Sequence, residues 1–341
     1  MPGVMRLPAP RGPLSESLVR DLATRPALSA RTLESALRLV EAVTDALTDE
    51  DLQLSLAICY ELHYRGFDEV DDVWEWDPEL LRLRATLEEL HLAALQELVG
   101  PVPVTDEPID VQLTAAIAAD DGPSLSKFMA REGDLEQWRE YLTVRSVYHL
   151  KEGDPHTFAI PRLSGRTKAA MVEIQADEYG GGSAARMHSE LFGGLMRDLG
   201  LDSGYGALWD DAPAVAFSNV NTMSLFGLHR RWRGAALGHL TTVEMTSSEP
   251  SRRYSSGLRR LGYGESTTVF YDEHVEADAV HEQIASVDMC GAFVAENPEL
   301  AVDVLFGARC SLAMDGLAAQ HLLGAWEAGR SALHRQPSLA A

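Results

Sequence analysis

The chain of 341 residues carries 52 acidic against 29 basic side chains, a formal net charge of −23. Such a charge excludes a protein that fills a nucleic-acid groove or coats an anionic membrane, because both need a basic face to displace counterions or meet headgroups. Apolar residues at 45% and charged residues at 24% are the balance of a folded chain with one large core or two domains, and exclude a disordered one.

Met1 to Pro10 lack the apolar stretch of a secretion signal, and no run of about 18 apolar residues follows, so a cytoplasmic protein with no membrane span is expected. Helical periodicity starts in Arg31–Glu50, where Leu33, Leu37, Leu39, Val40, Val43 and Leu47 outline a stripe. It recurs at about 50–64 and 78–98. Three prolines in Gly100–Pro108 then stop any helix. The expected boundary lies there, with a helical support or dimerisation region at 1–108 and a second domain at 109–341.

In that second part helical stretches are predicted at about 109–119, 124–152, 164–179, 185–199, 215–247, 250–261, 268–295 and 298–333, separated by glycine-rich breaks. Alternating strands are missing, so the predicted fold is all-α. Cys59, Cys290 and Cys310 are too scattered for a zinc site or a disulfide framework and read as buried thiols.

Ligand-type residues are densest between Tyr271 and Glu282. On a helix of roughly 100° per residue, Asp278 and His281 fall about 40° and −20° from His274, on one face. Seen alone, this is equally a solvated acidic helix; the flanking Val275, Val280, Ile284 and Val287 argue that the face turns inward, where a metal would be its natural partner. A second cluster has Glu178 closing one helical stretch, three glycines at 180–182, and His188 opening the next. An ideal helix would set the two about 80° apart, and a glycine kink could bring them together. Glu152, just before Gly153-Asp-Pro155, is the third candidate. A carboxylate at a helix C-terminus is unfavourable without a cation, and Arg145 or Lys151 could supply one locally. Three carboxylates and three imidazoles form a mixed oxygen and nitrogen set, suited to non-haem iron or manganese more than to structural zinc.

Asp177-Glu178-Tyr179-Gly180 followed by His188, then His274-x3-Asp278-x2-His281, with Glu152 upstream, resembles the haem-oxygenase-like diiron oxidases and oxygenases, the iron-containing redox enzymes. The resemblance covers about residues 125–330. It implies a haem-oxygenase-like helical bundle holding two Fe(II) ions, with Glu152, Glu178, His188, His274, Asp278 and His281 as ligands and Glu178 as the bridging carboxylate. It further implies O2 as co-substrate, a small amine, guanidine or amino-acid-like substrate, a homodimer, and room for an external electron donor. N-oxygenation is the implied reaction, with desaturation, oxidative decarboxylation and C–C cleavage as alternatives. Tyr148, His149, Tyr179 and Glu244 are candidates to surround the ligands.

Two readings from other classes compete. A ferritin-like iron store needs Glu-x-x-His on two helices, and the single instance is Glu88 to His91. A non-catalytic helical partner-binding protein would carry the ligand pattern by accident. Hydrolase and nucleotide chemistry lack both the Gly-x-Ser-x-Gly elbow and a Gly-Lys-Ser/Thr phosphate loop.

Overall fold

Side-chain caps open several of the helices. A computed structural model describes residues 5–24 and 26–334, without the side chains of residues 276–280. Asp49 accepts from Leu52 N–H to open one helix, and Asp77 accepts from Leu80 N–H ahead of Pro78, whose fixed φ suits the first turn. Asp134 and Gln137 close a reciprocal capping box on another.

The resulting order is α1 (Pro13–Thr24), α2 (Ala30–Ala42), α3 (Glu50–Glu61), α4 (Pro78–Val99), α5 (Ile109–Ala118), α6 (Leu125–Arg131), α7 (Leu135–His149) and the short α8 (Asp154–Thr157). It continues with α9 (Gly165–Glu178), α10 (His188–Asp198), α11 (Ala214–Leu228), α12 (Arg233–Thr246), α13 (Ser248–Arg260) and α14 (Glu265–Gln283). A π-helical segment at Ile284–Gly291 leads into α15 (Ala292–Glu296), and α16 (Ala301–Glu327) ends the bundle. No strand occurs among the described residues beyond a single bridge between Met5 and Phe67. The fold is all-α, as predicted.

Several predicted stretches are shorter than their periodicity suggests. The first ends at Ala42, because Val43 turns extended and the Asp45 carboxylate takes the Leu47 N–H and the Thr48 hydroxyl in a turn. The stretch at 124–152 divides near Gly133, where Asp134 restarts the helix as a cap. The stretch at 215–247 divides at His229, whose backbone is extended. Helix α1 was not anticipated, although Pro13 and the buried stripe of Leu14, Leu18 and Leu22 mark it locally. Its first N–H groups, Leu14 and Ser15, donate to the two oxygens of Asp51 on α3, so its cap comes from 36 or 37 residues away.

Helices α3 and α11 form the centre. Each is buried around its whole circumference and apolar over most of it, which is why neither shows a strong stripe. They pack against each other, while α12 lies along α16 and α13 along α14. All three cysteines are buried and free. Among the described residues no helix is long and apolar enough to cross a membrane.

Candidate metal centre

Arg145 and His149 lie one turn apart on α7, and Glu152 follows in the turn after it. The Arg145 Nε–H donates to His149 Nε2 at 3.1 Å. Because a guanidinium can only donate, that nitrogen carries the lone pair, and Nδ1–H donates to Glu152 Oε1 at 2.7 Å. One Glu152 oxygen is thereby fixed, and the other, Oε2, is buried without a hydrogen-bond partner. Gly153 (φ 87°) makes the turn possible in the left-handed region, and a Cβ there would press on Gln175 and Glu178 at 3.2 Å. The expectation that Arg145 or Lys151 compensates Glu152 is corrected: Lys151 pairs with Glu61 at 3.0 Å, and Arg145 reaches Asp315 and His149.

Glu178 is the last residue of α9 and His188 the first of α10, as their flanking glycines suggested. Gly180 (φ 66°) lets the connection fold back, since a Cβ there would meet the backbone of Arg186 and Met187 at 2.6 Å. This brings His188 Nδ1 to 3.1 Å from Glu178 Oε2. The two atoms are not aligned for a hydrogen bond, and both are buried without one.

Helix α14 supplies the third side. His274 Nδ1–H donates to the Phe270 carbonyl at 2.7 Å, which turns the Nε2 lone pair toward Glu152 Oε1 at 3.8 Å. The His188 and His274 rings lie 4.4 Å apart. Glu152, His188 and His274 each offer a ligand atom within 4.8 Å of the others, and all three are buried. His281, on the same helix, stands elsewhere: its Nδ1 bonds Glu244 at 3.1 Å and its Nε2 bonds Asp177 at 2.9 Å. Between two acceptors the ring is a doubly protonated imidazolium. Burial alone would lower its pKa, but Glu244 and Asp177 raise it to about 9. The side chain of Asp278 lies outside the described residues. Directly after α14 comes the π-helical segment, a form of backbone often found beside functional sites.

Burial pushes the Glu152 carboxyl up, and the His149 and His274 imidazoles more than offset it, holding the group well below the ordinary carboxylate range. His149 is driven down by burial and stays neutral, consistent with its two fixed hydrogen bonds. His188 is raised, because the Glu178 carboxylate outweighs burial. Phe192 and Phe270 pack on His149 at 4.8 and 5.2 Å and give the group an apolar wall. Glu152 Oε2, Glu178 Oε2 and His188 Nδ1 therefore form a buried donor set without hydrogen bonds, and a mixed carboxylate and imidazole set of this kind fits iron.

Residues 139–316, just over half of the chain, match the family model of the iron-containing redox enzymes. The chain belongs to that family. No curated protein matches it. In this iron-containing redox enzyme of the haem-oxygenase-like superfamily, the matched span contains every ligand candidate from Glu152 to His281.

Glu152, Glu178 and His274 line a cavity of about 280 Å³, as do Asp120 and Asp315. Tyr148, His149 and Glu244 line it, whereas the Tyr179 hydroxyl is occupied by Asp154 and Thr157. Sequence reasoning missed His156, His239, Asn219 and Gln175, which also line it. His239 had one usable signal, a lone histidine inside the otherwise buried run of α12. Glu88 and His91 are used elsewhere: Tyr60 and His229 bond Glu88, while Gln53 and Thr222 bond His91.

Proposed function

We propose that this iron-containing redox enzyme is a non-haem diiron oxygenase that uses O2 to oxidise a small nitrogen-bearing metabolite, with N-oxygenation as its reaction. The carrying observation is the buried trio Glu152, His188 and His274 with Glu178 beside it, in which Glu152 Oε2, Glu178 Oε2 and His188 Nδ1 lack the hydrogen bonds that burial normally demands. Glu152, Glu178, His188 and His274 would hold the metal, joined by Asp278 and His281 from α14. When bound, the two irons supply the electrons that reduce O2.

The chain's own residues do the rest. His149 locks Glu152 in one orientation through Nδ1–H, and Arg145 locks His149 in turn. Phe192 and Phe270 keep water from the imidazoles. His281 holds two protons between Glu244 and Asp177, and it must release one, at Nε2 or Nδ1, before that nitrogen can ligate.

The test is anaerobic loading with Fe(II), iron analysis per chain, Mössbauer spectroscopy, and O2 uptake with candidate amines and guanidines. About two irons per chain are expected in the wild type, with Glu178→Ala and His274→Ala losing at least half. Equal trace iron in the wild type and both variants would defeat the proposal. Product mass then separates an added oxygen on nitrogen from loss of hydrogen or of CO2.

A further inference from the structure

Beside the metal centre stands an aromatic cluster whose tyrosines and tryptophan take no part in the ligand set. The His274 ring lies 4.6 Å from Phe270, Phe270 5.1 Å from Tyr271, Tyr271 5.1 Å from Tyr254, and Tyr254 stacks on Tyr141 at 5.0 Å. Trp138 closes the cluster, its ring 5.8, 5.9 and 6.3 Å from those of Tyr141, Tyr254 and Tyr271. At the inner end the Phe270 ring also meets His149 and His188. Packed rings therefore run without a break from a candidate ligand to Tyr254, which is partly exposed.

Packing alone does not explain these side chains. The Tyr271 hydroxyl lies beside that of Tyr141 without a hydrogen bond to it, and the Trp138 indole N–H is buried without an acceptor. Phenylalanine would fill the same space and bury no unpaired polar group. What tyrosine and tryptophan have, and phenylalanine lacks, is a side chain that gives up one electron within the range of biological oxidants. Burial pushes the phenols of Tyr141, Tyr254 and Tyr271 up in pKa, so each stays protonated and must shed its proton when it loses an electron. All three line the cavity, as do the exposed Asp120, Gly122 and Pro123, so water has access to take that proton.

We infer that Tyr271, Tyr254 and Tyr141, with Trp138, form a one-electron relay that draws an oxidising equivalent away from the metal centre when no substrate consumes it. The inference rests on the reading of the site as an O2-activating iron centre, since that centre supplies the oxidant. One electron leaves Tyr254 and passes inward through Tyr271 and across Phe270 to the oxidant, which is reduced by it. The Tyr254 O–H bond breaks, its proton goes to cavity water, and a neutral tyrosyl radical remains. Two such radicals are restored by two thiols from solution, each giving one hydrogen atom, with one disulfide as the oxidised product. Electron transfer weakens steeply with every gap it must cross, so rings in contact give the oxidant a way out that spares the ligand histidines.

The test uses the full chain in two arms. In the metal-free chain, tris(bipyridine)ruthenium(II) with persulfate and light supplies a one-electron oxidant from solution, and a nitroso spin trap marks tyrosyl radicals for mapping by mass. The trap is expected on Tyr254 and Tyr271 in the wild type, and in Tyr254→Phe it is expected to be lost from Tyr271 as well, because the partly exposed end of the relay is gone. In the chain loaded anaerobically with Fe(II), O2 is admitted without substrate and the sample is frozen for electron paramagnetic resonance, with iron and O2 consumption measured alongside. A tyrosyl signal is expected, absent when Tyr254→Phe and Tyr271→Phe are combined, and oxygen insertion into the peptides that carry His188 and His274 should rise in that variant. Both substitutions keep the rings, and Tyr271 has no hydrogen bond to lose, so a role in packing alone would move neither readout. If the combined variant does not fold, Tyr271→Phe alone is read in the same way. Tyr271 trapped equally with and without the Tyr254 hydroxyl, neither tyrosine trapped in the wild type, a signal that survives the substitutions, or no signal in a wild type that has taken up iron and consumed O2 would overturn the inference. A chain that takes up no iron brings down the metal reading instead, and the photo-oxidation arm alone then decides the relay.

Discussion

Lys151 and Glu152 are neighbours in the chain, yet they serve two buried polar clusters of opposite character. Lys151 points into the junction of α3 and α11, where Glu61 takes its ammonium and Tyr205 donates to both Glu61 oxygens at 2.8 Å. Close by, Asn221 donates to Gln53, Gln53 donates to His91 Nδ1, and His91 Nε2–H donates to Thr222, whose hydroxyl donates on to the Ser218 carbonyl. Every donor named here has an acceptor, although Asn221 Oδ1 and the Ser218 hydroxyl are buried without a partner. Glu152 points the other way, into a chamber where Glu152, Glu178, His188, His156, His239, Asn219 and Gln175 each keep a buried polar atom without a hydrogen bond. In the junction the carboxylate, the ammonium and the imidazole are all paired, which stabilises and specifies the fold; in the chamber carboxylate and imidazole atoms are left unpaired, which is costly unless something binds there.

Breaking the junction should have the largest effect. Lys151→Met leaves the Glu61 carboxylate, which is fully buried, without its cation. A loss of about 3–5 kcal/mol is expected from urea unfolding. A loss below about 1 kcal/mol would show that the junction is not what holds the two helices.

An intermediate effect comes from acid. Burial holds His91 and His156 down to pKa values of about 3 and His239 to about 4, against 6.5 in the unfolded chain. Above pH 6.5 both states are neutral and these residues contribute no pH dependence. Below it the unfolded chain takes up protons that the folded chain refuses, so stability falls from pH 6.5 toward pH 4. At one pH unit below 6.5 each residue accounts for about 1.4 kcal/mol. His91→Gln should therefore lose about 1.4 kcal/mol less than the wild type between pH 7.5 and pH 5.5. Identical losses in the two proteins would mean that His91 is protonated in the fold.

The chamber should respond least. In metal-free protein Glu178→Gln is expected to change stability by no more than about 1 kcal/mol, since the group it alters has no hydrogen bond at Oε2 to lose. The same variant should lose the rise in melting temperature that Fe(II) gives the wild type, a rise worth about 2.7 kcal/mol at a hundredfold excess over the dissociation constant. A large loss of stability without metal would place Glu178 with the junction instead of the chamber.

The helix placement of the candidate ligands was legible because helix periodicity reports faces. His274 and His281 share a helix, Glu178 ends one and His188 begins the next, all as their spacing indicated. What a face meets is a different matter. His281 has the spacing of a ligand, but its hydrogen-bond partners, Glu244 on α12 and Asp177 on α9, could not be read from that spacing. His156, His239, Asn219 and Gln175 sit on four different helices and have no spacing to read. The cap of α1 had no spacing to read either, since it is a carboxylate from α3, although the stripe of Leu14, Leu18 and Leu22 was legible.

Local chemistry along the chain thus sufficed for an all-helical protein, for its breaks at glycine and proline, and for a set of ligand-type residues gathered on few helices. Periodicity and capping act over one or two turns, so they can be read without knowing the neighbours. The assembly of Glu152, His188 and His274, the tautomer of His149, and the division of Lys151 and Glu152 between two clusters came only with packing. Those features are contacts between segments far apart in the chain, and burial, charge and hydrogen bonding act on them only once the helices have met.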